Sequence, residues 1–214
     1  MVIAASPAEK KVRHPASREA TRLRIIEAAL RLFSQKGYLG ATTREIAREA
    51  AVSEMTLFRH FPSKEALFEA VLSTHTFLPA LKSILPAIQN VAIEEALTAI
   101  ARKYLETLDM RRDFIKIMLS ECSYFPEKVH AIYHSFLAEI FSTLAAYFKE
   151  MQKTGVMRSF DPLLGARAFL AMFFTYFLTT DIVMFPSRDK TSVNAVVREY
   201  VSFFLYGTER KAEA

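Results

Sequence analysis

Residues 42–61 read TTREIAREAAVSEMTLFRHF, and the fold turns on how this stretch is punctuated. Thr42 with Glu45 three residues later is a capping box, in which hydroxyl and carboxylate satisfy stranded backbone amides and open a helix over 43–50. Ala51-Val52-Ser53 is a short connector, and Ser53 caps a second helix over 54–61 that Pro62-Ser63 ends. Two short helices about a three-residue turn are the parts of a helix-turn-helix. That geometry turns Ile46, Ala47, Val52 and Leu57 inward, with Ala47 small enough for close approach. Glu54, Met55, Thr56, Phe58, Arg59 and His60 are left outward, free to enter a major groove.

Outward from this stretch the pattern stays helical. Upstream, Leu23, Ile26, Leu30 and Phe33 recur at spacings of three and four, one face of a helix starting near Arg18, with Gly37 as its stop. Downstream, Ser63 caps a fourth helix running through about Ser73. Further helices are predicted over 81–89, 93–108, 112–124, 126–152, 161–184 and 192–206, with breaks at Pro86, Asp109-Met110, Phe125-Pro126, Gly155 and Pro186. Only 5 Gly and 8 Pro in 214 residues argue for long helices over a turn-rich β fold. Residues 1–17 are polar, contain Pro7 and Pro15 and show no periodicity, so they read as a flexible basic arm, either groove-binding or an idle leader.

The net charge is +5, and its placement matters more than its size. Residues 1–75 hold 12 Lys and Arg against 8 Asp and Glu, whereas the rest hold 16 against 15. A basic excess at the front suits a polyanionic partner there. Cys122 is the only cysteine, which rules out an intramolecular disulfide or Cys-based metal cluster and fits a reducing cytoplasm. The opening 1–5 is too short for the apolar core of a signal peptide, and Lys10, Lys11 and Arg13 follow it rather than precede it. The most membrane-like stretch, 163–185, is interrupted by Arg167 and Asp181. The 13 residues between them fall short of the ~20 that span a bilayer, so a buried helix is expected and no membrane partner.

The motifs also carry a resemblance. Gly37-Tyr38, Thr42-x-x-x-Ile46-Ala47, Ala51-Val52-Ser53, Thr56-Leu57-Phe58-x-His60-Phe61 and Ser63-Lys64-Glu65-x-Leu67 stand in the order and at the intervals of the tetracycline-repressor (TetR) family signature. The resemblance covers about 50 residues, 23–72. It implies an all-α protein: a three-helix helix-turn-helix domain over 18–65, then a larger effector-binding and dimerisation domain over 66–214. It implies a ligand-responsive transcriptional regulator in the cytoplasm, a homodimeric repressor that leaves a palindromic operator when a small lipophilic or aromatic effector binds. No enzyme activity, cofactor or metal is implied.

Chemistry gives each residue of the implied DNA-binding set a role. The set is Thr43, Arg44, Ser53, Glu54, Met55, Thr56, Phe58, Arg59, His60 and Lys64. Thr43 opens a helix whose dipole favours a phosphate. Arg44 can pair bidentately with guanine or hold a phosphate, and Thr56 can meet a thymine methyl or a phosphate. His60 and Lys64 are phosphate clamps, Lys64 in the first turn of its helix. Three departures from the signature bear on this. Phe58 lacks the hydroxyl of the customary Tyr. Glu54 repels phosphate but can accept from cytosine N4. Ala51 replaces a turn Gly and must strain or relax the turn.

The second half is apolar and Phe-rich. Residues 162–184 are apolar nearly all round, and Val193, Val196, Val197, Tyr200, Val201, Phe204 and Leu205 form a wide stripe on the last helix. A four-helix dimer interface is expected there, from Phe169, Met172, Phe173, Val197, Tyr200, Val201 and Phe204. The expected effector pocket combines Tyr104, Phe114, Met118, Cys122, His134, Phe173, Tyr176 and Phe177. Phe136, Phe141, Phe148 and Phe174 are further apolar lining, and His130, Thr179 and Asp181 further polar anchors. His130 and His134, at i and i+4, lack a third metal ligand. Two other readings compete. An enzyme would need a phosphate loop, nucleophile elbow or zinc motif, and none is present. A helical scaffold or lipid carrier explains the apolar half but leaves the basic front unused.

Overall fold

A computed structural model describes residues 15–183 and 192–208. Most of the arm over 1–17 lies outside the described residues, as do the break at Pro186 and the segment after 208. The described chain is all-α. Its head comprises α1 (Pro15–Gly40), α2 (Thr43–Glu49) and α3 (Glu54–His60). The remainder comprises α4 (Lys64–His75), α5 (Phe77–Ala87), α6 (Ile93–Met110), α7 (Arg112–Glu121), α8 (Glu127–Lys153), α9 (Pro162–Phe177) and α10 (Val193–Thr208).

The punctuation in residues 42–61 produces the head as its chemistry requires. Thr42 accepts from the Glu45 amide at 3.2 Å while Glu45 accepts from the Thr42 amide at 3.1 Å, a complete capping box. Lys36 binds the same carboxylate at 2.6 Å, and these bonds, the Lys36 bond first, hold the Glu45 pKa down to about 2. Ser53 accepts from the Thr56 amide and Ser63 from the Ala66 amide, so α3 and α4 are capped in turn. Gly37 sits at φ 75° and ψ 172°, a conformation open essentially to glycine alone, and it breaks α1 where the sequence predicts a stop.

Two apolar cores form. The head core gathers Ile26, Phe33, Ile46, Leu57, Leu67 and Phe68, and it also takes in Phe114 and Met118 of α7 and Val129 of α8. The larger core centres on Phe148, Phe169, Phe173, Val197 and Val201, from α8, α9 and α10. Nine of the 23 buried residues of the head core thus come from beyond residue 65, because α4 and α7 both lie along α1.

Some expectations from periodicity are corrected by this packing. Leu23 is 45% exposed, because the first turns of α1 run past the packed part of the head. The helix expected over 81–89 begins earlier, at Phe77, and carries Pro86 inside its last turn. The helix expected over 112–124 ends its α geometry at Glu121 and closes with a 3₁₀ turn, Cys122–Tyr124. Beyond Phe177 the chain tightens no further but widens into a π turn, Leu178–Val183, where Thr179 and Thr180 bond back to carbonyls of α9. Pro162–Val183 is long and apolar enough, by length and composition alone, to cross a membrane. Its two charges are engaged within the protein: Asp181 pairs with Arg112 at 2.8 Å and Arg167 lies over the Phe141 ring.

Candidate nucleic-acid interface and ligand cavity

The exposed side of the helix-turn-helix combines charge with apolar surface. Arg44 is 89% exposed, Met55 84% and Phe58 43%. Large apolar side chains held in water gain when a thymine methyl or sugar covers them. The turn is made by Ala51 at φ 52°, so the non-glycine residue does adopt the left-handed conformation, with the strain that implies.

Several residues expected to reach DNA already have partners. Thr43 donates its hydroxyl to Glu54 Oε1 at 2.7 Å, so its side chain has no proton left for a phosphate, and only its lone pairs and backbone amide remain. Arg44 lies 3.9 Å from the other Glu54 oxygen. Ser53 and Thr56 share a 2.9 Å hydroxyl contact within the cap of α3. Lys64 places its ammonium 4.4 Å from the Tyr38 ring centre, and burial lowers its pKa against the opposing pull of Glu121 and Glu65.

A basic cleft completes this face. Ser17, Arg18, Thr21 and Arg24 of α1 stand across from Thr56, Arg59 and His60 of α3, around a void of about 750 Å³. Burial lowers the His60 pKa, and Arg18, Arg59 and Arg22 lower it further. Sequence reasoning missed the α1 contribution. The signal was present as a run of arginines opposite the apolar stripe, but only the tertiary approach of α1 to α3 makes it one cleft with the recognition helix.

The second site is a smaller cavity of about 100 Å³ at the seam between the two cores. Leu72, Phe114 and Met118 reach it from the head core, and Phe77, Leu108 and Ile140 from the larger one. Tyr104, Tyr133, Phe136 and Phe174 add aromatic walls, Arg111 brings the charge and His75 a neutral imidazole. Burial raises the pKa of both tyrosines, which keeps their hydroxyls protonated.

Of the expected pocket residues, Tyr104, Phe114, Met118, Phe136 and Phe174 come together here. Cys122, His134, Phe173, Tyr176 and Phe177 do not line it. Phe173 and Phe177 are fully packed in the larger core, Tyr176 meets Tyr200 edge to face, and His134 is exposed on α8. Cys122 points its thiol at the Leu119 carbonyl. Phe148 is core, His130 is exposed, Phe141 lies under Arg167, Thr179 bonds to the α9 backbone and Asp181 to Arg112. Helical periodicity marks these residues as inward without saying which core or cavity lies inward of them.

The expected dimer residues need a similar correction. Phe169, Phe173, Val197, Val201 and Phe204 are buried in the chain's own core, covered by α6 and α8. Met172 and Tyr200 are half-buried. The large apolar side chains that α9 and α10 leave most exposed are Leu164 at 60%, Phe203 at 64% and Tyr206 at 77%, with Val193 at 50% and Leu163 at 38%.

Comparison with known proteins places this architecture. The family profile described as "Bacterial regulatory proteins, tetR family" matches residues 25–71. That described as "AefR-like transcriptional repressor, C-terminal domain" matches residues 95–207. The HTH-type transcriptional regulator YvkB of Bacillus subtilis is 35% identical over 158 residues, 74% of this chain and 82% of that protein. Among solved structures, the flavonoid-responsive regulator FrrA superposes with a TM-score of 0.68 at 27% identity, covering 91% of this chain and 100% of its own. FadR of Bacillus subtilis, solved with stearoyl-CoA, has a TM-score of 0.68 at 17% identity over 86% of this chain and 98% of its own, a likeness of fold alone.

Proposed function

The chain belongs to the TetR family of bacterial transcriptional regulators, which are DNA-binding proteins and not enzymes, and from that premise we propose that it is a homodimeric, ligand-released repressor working in the cytoplasm. The observation that carries the release mechanism is the position of the cavity at the seam of the two cores. Its wall residues Phe114 and Met118 belong to α7, and the last residue of α7, Glu121, accepts the Tyr38 backbone amide at 2.7 Å in the head. A ligand that prefers a shifted α7 therefore also prefers a shifted head, which is what coupling between two sites requires. The likeness to an AefR-like repressor domain supports repression, and the flavonoid-responsive relative supports a small aromatic or lipophilic effector.

On DNA, α3 enters the major groove with Met55, Phe58 and Arg59, and Arg44 reaches in from α2 as base reader or phosphate contact. Arg18 and Arg24 of α1 hold the flanking phosphates together with His60. Thr43 contributes its backbone amide at the head of α2, Ser53 and Thr56 brace α3, Glu54 tunes the pair Thr43 and Arg44, and Lys64 leaves the Tyr38 ring to meet a phosphate. Two copies pair through the outer faces of α9 and α10, where Leu164, Phe203 and Tyr206 stand exposed and Met172 and Tyr200 lie at the margin. The domain plan is a DNA-binding head over 18–65 and an effector and dimerisation unit over 66–214, with residues 1–17 as a basic arm.

Selection of duplexes from a random pool tests the reading. A palindromic consensus, with half-sites one helical turn or a multiple apart, is the expected result. Recovery of sequences no tighter than random duplex, or of a single unpaired half-site, overturns it.

A further inference from the structure

Arg111, half-buried, stands where the seam cavity meets a surface groove that Asp109 and Asp113 also line. Its Nε donates to the His75 carbonyl at 3.1 Å and one terminal nitrogen meets His75 Nδ1 at 3.2 Å, both neutral acceptors. Among the described residues no carboxylate lies within 4 Å of it. The donation to Nδ1 leaves His75 neutral with its proton on Nε2, a side chain only 10% exposed. That nitrogen lies 3.2 Å from Glu27 but off the line of a hydrogen bond, so Glu27 offsets the guanidinium only at a distance, across the imidazole. Two further polar side chains line the same cavity, Tyr104 and Tyr133, and neither hydroxyl has a hydrogen-bond partner among the described residues. The other polar lining is satisfied, Thr107 by the Lys103 carbonyl and Thr76 by the Leu72 carbonyl.

Everything else around the cavity is hydrocarbon. On its cavity side the Arg111 guanidinium faces no counter-charge, and a half-buried cation gains when an anion completes it. We infer that the seam cavity takes a ligand with a compact apolar body and an acidic head, whose carboxylate or other oxyanion lies against Arg111 within reach of the tyrosine hydroxyls. The inference rests on the cavity being the effector site. Its size, about 100 Å³, suits a body no larger than a single small ring as it stands. A longer ligand must part α6 from α7, since known ligand pockets occupy roughly 300 Å³ and more.

The test compares acids with their uncharged isosteres. Benzoate, cinnamate and octanoate are titrated calorimetrically into the full-length protein beside benzamide, cinnamamide and octanamide. At least one acid should bind tenfold or more tighter than its own amide. Arg111→Gln should abolish that preference while leaving the amide within twofold, and Arg111→Lys should keep part of it. Should Arg111→Gln fail to fold, the wild-type comparison still decides. Acids bound no tighter than amides, the case of no detectable acid binding included, overturn the assignment, and so does a preference that survives in Arg111→Gln. Duplex retention measured with the same acids separates this from the release mechanism: acid binding that depends on Arg111 but leaves DNA affinity unchanged upholds the head-group assignment and removes the cavity as effector site.

Discussion

Glu54 of α3 accepts the Thr43 hydroxyl of α2 at 2.7 Å and sets its second oxygen 3.9 Å from Arg44, so one carboxylate engages both residues proposed to open the DNA contact. It ties the two helices of the motif together and keeps a negative charge where a phosphate would come. Replacing Glu54 by Gln retains an acceptor for Thr43 while removing that charge. Binding to random duplex at low salt should tighten about fivefold, the equivalent of roughly 1 kcal/mol of relieved repulsion. Anisotropy titration of Glu54→Gln against wild type checks this, and unchanged or weaker binding counts against a role for Glu54 near the backbone.

The turn residue Ala51, at φ 52°, invites the opposite kind of change. A side chain in the left-handed region costs about 1 kcal/mol, and glycine removes that strain while giving back a few tenths through the greater freedom of its unfolded chain. Ala51→Gly should therefore stabilise the protein by about 0.5–1 kcal/mol, raising Tm by about 1–4 °C in thermal melts.

Gly37 lies under the Glu121 carboxylate. A Cβ on Gly37 would run into the Glu121 carboxylate, and the residue already adopts a conformation that costs other residues about 1–3 kcal/mol. Gly37→Ala must push Glu121 off the Tyr38 amide as well. A loss of about 2–3 kcal/mol in urea unfolding is expected, and a Gly37→Ala protein as stable as wild type would show that this junction is not strained.

Protonation of His60 should be visible in DNA binding. Burial and the arginines around it lower its pKa below the usual 6.5, so the free protein holds the ring neutral at pH 7. A phosphate beside the ring favours the imidazolium and raises that pKa, so binding takes up a proton and tightens as pH falls. Between pH 7.5 and 6 the affinity should rise about 2- to 5-fold, the range expected of a shift of up to one unit. His60→Gln should flatten that slope; an equal slope in the variant places the proton elsewhere.

The outer faces of α9 and α10 give a test of assembly that leaves the core alone. Leu164 and Phe203 are both more than half exposed, so Leu164→Glu and Phe203→Glu should cost the protomer less than about 0.5 kcal/mol. Light scattering should nevertheless show the assembly halved in mass, with operator affinity falling by more than tenfold. Dimers that persist in both variants move the interface to another face.

The sequence by itself determined what depends on neighbours within about four residues. Caps at Thr42, Ser53 and Ser63 and the break at Gly37 are local chemistry and stand where their residue types require, while Ala51 takes its left-handed turn against its own preference. The family followed from the same short range, because its signature is a string of such local requirements. Tertiary structure decided everything that needs two distant segments to meet. Arg18 and Arg24 join His60 across a cleft, Glu54 occupies Thr43 and Arg44, and Arg111 meets His75 beside the tyrosines. Periodicity marks Phe169, Phe173 and Val201 as apolar and inward, but their partners are the chain's own helices rather than a second copy. Hydrophobic burial is proportional to area and blind to direction, so it tells a helix which face to hide and leaves the approach of other helices to choose what hides it.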